Sequence, residues 1–339
     1  MAAIIGGGFG GIAAALRLRA LGFETTLIER LPTLGGRAQV INVDGFKHDA
    51  GPTVLTAPFL FDELFALFGK RTEDYVRLLP LKPWYRFHFH DGSAFDYGGS
   101  REEILSEIAR ISPRDVDGYQ ALIKHARSVF DIAFTELAHQ PFHRLPKMLA
   151  QLPLLLRLRA DRSVWSLVAK HISSPMLRQA LSIQPLLIGG NPFETTSIYS
   201  LIHYLEQQWG VFYAVGGTGA VVEALGRLML EQGIRVRVGE TVDRLILQDC
   251  KTTGVELAGG ERITADIVVS DADPLYLYRH MVDQRALRQS TRLKLRSNVS
   301  MGLFVLYFGT RRQYPDLARH TIWLGARYRE LLAEVFHGR

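Results

Sequence analysis

The residues with the clearest chemical meaning lie near the start of the chain, in the run Gly6-Gly7-Gly8-Phe9-Gly10-Gly11. Gly6, Gly8 and Gly11 have the G-x-G-x-x-G spacing of a dinucleotide-binding turn. Gly6 permits a tight turn, Gly8 lets the backbone approach a pyrophosphate, and Gly11 lets a helix pack closely on a sheet. The N-terminus of that helix offers unpaired N–H groups to phosphates.

Two further features follow these glycines. Glu29 ends the next predicted strand, where a carboxylate can accept hydrogen bonds from ribose hydroxyls. Together with the glycines it predicts dinucleotide binding, but Glu29 alone does not separate FAD from NAD. Gly35-Gly36-Arg37 predicts a second backbone-lined loop, in which Arg37 supplies donors to a diphosphate. A plain turn with an exposed arginine is an equal alternative from these three residues alone.

Local patterns predict the elements that position these residues. Residues 2–5 form a strand, 12–21 a helix and 25–29 a second strand, which together make one βαβ unit of a parallel sheet. Residues 84–90 and 94–97 alternate as a hairpin, and 101–188 are predicted to be mainly helical.

The later part of the chain resumes the strand and helix alternation. A helix is predicted after Gly217, with strands at 235–238, 242–248, 253–257 and 267–270 and a long apolar strand at 301–308. The fold class is therefore α/β, a Rossmann-like domain with a largely helical domain inserted in it. Its predicted segments are 1–75 and 216–275 for the first domain, 76–215 for the insertion, and 276–339 for the start of a substrate-domain sheet.

Composition sets broad limits on the 339 residues. The net charge of +6 is too mild to imply nucleic acid, and the single cysteine, Cys250, excludes an internal disulfide framework and receives no catalytic role. The apolar start lacks a basic region and is interrupted by glycines, and no run reaches about 18 apolar residues. The sequence therefore predicts neither a signal peptide nor a membrane span.

The sequence gives little support for a metal site, a hydrolase or a thiol redox enzyme. His88 and His90 share one face of a predicted strand, but alternation explains them without a metal and no third ligand is apparent. There is no G-x-S-x-G and no C-x-x-C to support a hydrolase or a thiol redox enzyme. We therefore assign no metal site.

Several longer segments carry a resemblance to a known family. Glu29 through Gly35-Gly36-Arg37 looks like the FAD signature of the amine-oxidase and carotenoid-desaturase superfamily, and Asp49-Ala50-Gly51-Pro52-Thr53 is similar to a segment of the carotenoid desaturases. Further similar segments are 189–193, 197–199, 206–211, 216–219, 304–309 and 327–330. The chain thus resembles the bacterial-type phytoene desaturases over essentially its whole length, without the family's late glycine-rich C-terminal portion, and it looks like a fragment or a truncated product.

The resemblance implies FAD as cofactor. The residues that would hold its pyrophosphate and ribose are Gly6, Gly8, Gly11, Glu29, Gly36 and Arg37. Val242 matches a position whose backbone contacts adenine, and Gly51 and Thr53 would lie near the isoalloxazine. The implied reaction is the dehydrogenation of phytoene to more conjugated carotenes, with a hydride passing to flavin N5.

The proton acceptor of this reaction is not assigned. Glu206, His203 and Tyr199 lie in a family-like segment, but a surface or core role is at least as good an interpretation of each, so no catalytic residue is named. The electron acceptor, such as a quinone or oxygen, the number of desaturation steps and the oligomeric state also stay open. The alternatives are another carotenoid desaturase or isomerase of the family, or an inactive truncated product.

Residues 144–162 could dock on a membrane. Leucines and a methionine recur there at helical spacing, broken by Pro153, beside the cations Arg144, Arg157 and Arg159. Such a segment suits a lipid interface as well as it suits packing on its own domain. A substrate confined to the bilayer favours the membrane, so we expect a peripheral protein on the cytoplasmic side of the cell membrane, with no nucleic-acid partner.

Overall fold

A computed structural model describes residues 1–137, 145–249, 251–296 and 299–338. Cys250 and Arg144 lie outside the described residues. The chain divides into two compact units. The first unit comprises Met1–Leu79 and Phe212–Asn298, and the second comprises Pro80–Val211 and Val299–Arg339.

The strands, in chain order, are β1 (Ala2–Ile5), β2 (Thr25–Glu29), β3 (Val40–Val43), β4 (Phe46–Asp49), β5 (Leu78–Pro80), β6 (Tyr85–Phe89), β7 (Ala94–Tyr97), β8 (Phe212–Ala214), β9 (Arg235–Val238), β10 (Val242–Gln248), β11 (Lys251–Leu257), β12 (Arg262–Thr264), β13 (Ile267–Ser270) and β14 (Thr321–Leu324).

The α-helices are α1 (Phe9–Ala20), α2 (Phe59–Ala66), α3 (Arg101–Ile111), α4 (Val116–Val129), α5 (Leu145–Ala150), α6 (Leu152–Arg157), α7 (Val164–His171), α8 (Pro175–Ala180), α9 (Gln184–Leu187), α10 (Leu201–Trp209), α11 (Thr218–Glu231), α12 (Pro274–Tyr276), α13 (Gln289–Lys294) and α14 (Tyr328–His337). Phe130–Leu137 and Leu277–Met281 are π-helical, and short 3-10 turns occur at Gly36–Ala38, Thr72–Asp74, Pro113–Asp115, Ser197–Ser200 and Gln284–Ala286.

A four-stranded parallel sheet organises the first unit. Its order is β13-β1-β2-β9, and all three pairings are parallel. The central strands β1 and β2 are buried along their whole length because helices cover a parallel sheet. The sheet, α1 and α11 confirm the predicted Rossmann-like α/β class.

The core of the first unit lies between this sheet and helices α1 and α11. Ile4, Leu16, Leu27 and Leu225 are fully buried there. Burial of each such side chain stabilises the fold by about 1.5–3 kcal/mol. Helix α1 begins three residues earlier than the predicted 12–21 because the glycine run itself forms its first turn.

The second unit combines a small sheet with helices. Strand β6 pairs with β7 in the predicted hairpin and with β14 in parallel, and its inward residues alternate with partly exposed ones. Helix α3 begins with a capping box of Ser100 and Glu103, and Ser163 and Ser174 cap α7 and α8. The mainly helical character predicted for 101–188 is confirmed within the described residues.

Residues 301–308 differ from the prediction, since they form no strand. Their apolar side chains are exposed, with 81% of Leu303 and 88% of Phe304 accessible to solvent. The apolar run has the composition of a strand, but none of the described residues pairs with it, and a strand needs such a partner. The predicted strand is therefore wrong for this structure.

Among the described residues, no helix combines the length and the apolar character that are needed to cross a bilayer. The same residues contain no cluster of three or more His, Cys, Asp or Glu side chains that could hold a metal ion. His88 instead stacks on Trp323, with ring centroids 5.3 Å apart.

Candidate functional site

A cavity of about 630 Å³ opens at the carboxyl-terminal edge of the parallel sheet in the first unit. Ligands bind at this edge in open α/β sheets because the loops after parallel strands meet there. Loops that follow β1, β2, β9 and β13 all contribute to the lining. Of the nine residues proposed from sequence, the cavity is lined by Gly6, Gly8, Glu29, Gly36, Arg37 and Val242.

The glycine loop is too tightly packed for side chains. Gly6 adopts a φ of +99°, which favours glycine. A Cβ on Gly11 would overlap the carbonyl oxygen of Gly6, so α1 could not stay against the loop. Gly11 therefore lies behind the cavity and shapes it without lining it.

The predicted second loop packs directly on the first. The Gly35 N–H donates to the Gly7 carbonyl at 2.8 Å. Gly35 and Gly36 have φ values of +122° and +56°, and a Cβ on Gly36 would lie only 2.9 Å from Cα of Gly8. Arg37 then lines the cavity. The two glycine loops thus form one continuous backbone-lined wall with a cation beside it.

Glu29 is held in a fixed position at the end of β2. Its Oε2 accepts the Gly7 N–H at 2.6 Å and its Oε1 accepts the Leu31 N–H at 2.9 Å. The side chain is 5% exposed, at the wall of the cavity. Each carboxylate oxygen has two lone pairs, so both can accept a further bond from a ligand hydroxyl.

Two segments that are far apart in sequence, 49–53 and 216–219, meet beside this wall. Both carboxylate oxygens of Asp49 accept N–H groups at the start of α11, from Thr218 at 3.0 Å and Gly219 at 3.2 Å. A Cβ on Gly51 would overlap the Arg37 carbonyl oxygen. The structure therefore brings Gly51 against the second glycine loop.

Thr53 is the remaining member of the proposed set. It is exposed and is not among the residues that line the cavity. Its neighbour Pro52 is among them.

Sequence reasoning missed the contribution of the loop after β13. Asp271, Ala272 and Asp273 line the cavity. The predicted strand 267–270 was a usable signal, because a residue that follows a parallel strand lies at the ligand edge. The sequence pattern did not indicate that this strand lies next to β1.

A buried chain of hydrogen bonds occupies the core of the second unit. Nε2 of His203 lies 2.9 Å from the Leu181 carbonyl oxygen and must donate to it, which leaves Nδ1 as the acceptor of the neutral ring. Nδ1 lies 3.2 Å from the Tyr97 hydroxyl, which lies 3.1 Å from that of Tyr119. Gln207 donates to Tyr119 at 2.6 Å. Nε2 of Gln184 also donates to Nδ1 at 3.1 Å, so the Tyr97 hydroxyl is free to donate either to this nitrogen or to Tyr119.

Burial shifts the pKa values of two ionisable groups in this region towards their neutral forms. Burial lowers the pKa of His203 to about 4. Burial also raises the pKa of Glu206 to about 7, although the Tyr85 hydroxyl donates to its Oε1 at 2.7 Å. Its Oε2 has no hydrogen-bond partner among the described residues. Of the three residues weighed as bases, Glu206 and His203 thus lie in the core, whereas Tyr199 is exposed.

A comparison with protein families identifies the class. The profile described as flavin containing amine oxidoreductase matches residues 9–337. The chain belongs to this family. It is an FAD-dependent oxidoreductase, and the cradle of glycines with Glu29 at its wall fits a dinucleotide that has a diphosphate and a ribose.

Two relatives with assigned activities are similar to the chain over almost its whole length. The chain is 43% identical over 336 residues to a lycopene-forming phytoene desaturase of Pseudescherichia vulneris, and the match covers 99% of this chain and 68% of the relative. It is 38% identical over 340 residues to a neurosporene-forming phytoene desaturase of Rhodobacter capsulatus, with 99% and 65% covered. The chain therefore spans about two thirds of the length of these relatives.

A solved structure supports the fold alone. An oxidoreductase from Methanosarcina mazei superposes with a TM-score of 0.61 at 16% identity, over 87% of this chain and 63% of that one.

Proposed function

We propose that this chain carries out, or forms the cofactor-binding part of an enzyme that carries out, the FAD-dependent dehydrogenation of phytoene to more conjugated carotenes. The observation that carries the proposal is the 43% identity over 99% of the chain to a relative of that activity. Relatives that form lycopene, neurosporene or zeta-carotene all align over 99% of the chain, so the proposal does not fix the number of double bonds formed.

The proposed cofactor contacts follow from the shape of the cavity. The first glycine loop and the Gly36 loop would bind the diphosphate through their N–H groups, helped by the charge of Arg37. Glu29 would accept the ribose hydroxyls. Val242, which lines the cavity, would contact the adenine. The positions of Gly51 and Thr53 near the flavin ring rest on the family resemblance, since neither residue lines the cavity.

The chemistry requires the loss of a hydride and a proton from neighbouring carbons. The flavin, when bound, accepts the hydride. Phytoene has no polar group, so the protein must recognise it by shape and by apolar burial. We propose that the inserted domain predicted at 76–215 receives this substrate, since its sheet and helices have an aromatic interior that includes Phe87 and Phe95.

The first test of the cofactor site uses the substitution Glu29→Gln. Loss of one carboxylate charge at the ribose position is expected to weaken FAD binding about tenfold, because charge-assisted hydrogen bonds contribute about 1.5–3 kcal/mol each. FMN lacks the adenosine ribose, so its loss of affinity should be clearly smaller and should reflect only the Gly7 or Leu31 N–H that the amide nitrogen of glutamine cannot accept. Isothermal titration of both ligands measures this, and equal losses for FAD and FMN would contradict the proposed position of Glu29.

We also propose that the segment Leu145–Arg162 docks on a lipid surface. The segment contains the short helices α5 and α6, which are separated at Gln151, before Pro153. Leu149, Leu152 and Leu156 are exposed rather than packed on the unit. Exposed leucines beside arginines are typical of an interfacial segment, in which apolar side chains enter the bilayer and cations meet phosphates.

Charge reversal tests this docking. Arg157 and Arg159 are both exposed, and the double substitution Arg157→Glu and Arg159→Glu should reduce binding to anionic liposomes at least about tenfold, since each cation near the surface contributes about 1 kcal/mol. Arg235→Glu with Lys251→Glu changes net charge equally on the first unit and is the matched control. Unchanged sedimentation of the first variant with liposomes would refute the proposal.

A further inference from the structure

The loop after β13 places a carboxylate inside the glycine cradle. A Cβ on Gly8 would lie 2.6 Å from Oδ2 of Asp271, and a Cβ on Gly10 would overlap Oδ1. Cβ of Asp271 is 3.4 Å from the Cβ position of Gly6 and of Gly11. Four glycines of the loop therefore surround one aspartate side chain.

This carboxylate lies at the beginning of α1, where the positive end of the helix dipole is located. Gly8 is the N-cap residue and provides no side-chain bond, and the first turn of α1 contains no acidic residue. Asp271 thus supplies the negative charge that the helix itself lacks. The backbone of Asp271 is held in place because its N–H donates to the Ile5 carbonyl at 2.8 Å.

A diphosphate bound in the cradle would come to the same helix terminus. The other acid after β13, Asp273, caps α12 by accepting the Leu275 and Tyr276 N–H groups at 2.9 and 3.2 Å. Asp271 has no comparable bond among the hydrogen bonds of the described residues, and it is solvent-accessible in the cavity. Two like charges would then face each other across the glycines.

We propose that Asp271 is an affinity-setting residue of the dinucleotide site, which occupies the diphosphate position in the free protein and opposes the binding of phosphate-bearing ligands. The inference rests on the proposed cofactor site and adds to it a residue that acts against binding. Like-charge juxtaposition is costly, and the cost falls with ionic strength. The residue would keep cofactor affinity below the maximum that the cradle allows.

The test compares ligands with and without phosphates. The substitutions Asp271→Asn and Asp271→Ala are each expected to increase the affinity for ADP and for FAD by about tenfold at low salt. The gain should shrink on addition of salt, and the affinity for adenosine, which has no phosphate, should stay within twofold. Asp243→Asn, which removes an exposed charge outside the cavity lining, is the matched control for net charge and should leave all affinities unchanged.

Thermal unfolding provides a second readout. Without ligand, Asp271→Asn should unfold at a slightly lower temperature than the wild type, because the helix loses its anion. With saturating ADP the order should reverse. ADP affinity that is unchanged or weaker in both Asp271 variants overturns the inference and leaves the proposed cofactor site standing. Failure of wild type and variants alike to bind ADP overturns both.

Discussion

Gly11→Ala should abolish FAD retention while leaving a folded protein. The new Cβ would overlap the carbonyl oxygen of Gly6 and lie 3.1 Å from its carbonyl carbon, and both are backbone atoms that cannot rotate away. Helix α1 must therefore move away from the loop by a large fraction of an ångström. The first N–H groups of α1 move with the helix, and loss of two hydrogen bonds to the charged diphosphate, at about 1.5–3 kcal/mol each, weakens FAD binding by at least about a factor of 100.

The same substitution should also destabilise the first unit. Inserting a methyl group into a closely packed contact costs about 1–3 kcal/mol. Gly259→Ala is the matched control, because no atom lies within 4 Å of its Cβ position. Flavin absorption after desalting gives retention, and urea unfolding gives stability. Retention by Gly11→Ala equal to that of Gly259→Ala would show that the helix does not need this close approach.

Glu206→Gln is expected to become more stable than the wild type as the pH rises. The folded-state pKa of Glu206 is about 7, whereas its ordinary value is 4.5. Between these values the folded state holds a proton that the unfolded state has lost, so wild-type stability falls as the pH rises through this range. Each pH unit between the two values corresponds to about 1.4 kcal/mol, which gives about 3 kcal/mol in total.

Neighbouring groups do not obscure this difference. The pKa of His203 is lowered from 6.5 to about 4, so its effect has the opposite sign, with stability rising between those pH values, and it is the same in both proteins. Tyr85, Tyr97 and Tyr119 have raised pKa values and stay neutral throughout. The two proteins should therefore be nearly equal at pH 4.5 and differ by about 3 kcal/mol above pH 7.

Urea unfolding of both proteins at several pH values measures the effect. Glu24→Gln, at an exposed position in the loop between α1 and β2, is the control and should differ from wild type by less than about 0.5 kcal/mol at every pH. A constant difference between Glu206→Gln and wild type across the range would mean that Glu206 titrates normally and is not buried as the structure has it.

Elements whose determining residues lie close together in the sequence were predicted from local patterns. The strand–glycine–helix start, the hairpin of Tyr85–Phe89 with Ala94–Tyr97 and the helix Thr218–Glu231 all follow from spacing within a dozen residues, and the structure confirms them. These parts were predictable because their determinants are local.

Long-range contacts were not predictable in the same way. Asp49 binds the N-terminus of α11, although residues 80–211 of the second unit lie between them in the sequence. Asp271 reaches the cradle only because β13 is next to β1. Strand order depends on the whole sheet, so the periodicity of a single segment does not indicate which strand lies next to it. The prediction for residues 301–308 failed for a related reason. An apolar run predicts a strand even where no neighbouring strand exists to pair with it.

Anaerobic mixing of the FAD-loaded protein with phytoene in anionic liposomes tests the central claim most directly. We expect the visible flavin absorption to be lost in step with the appearance of a carotene spectrum shifted to longer wavelength, because each new double bond extends the conjugated system. A flavin band that persists with phytoene, yet disappears on addition of dithionite, would show a competent cofactor that does not oxidise this hydrocarbon and would contradict the proposed function.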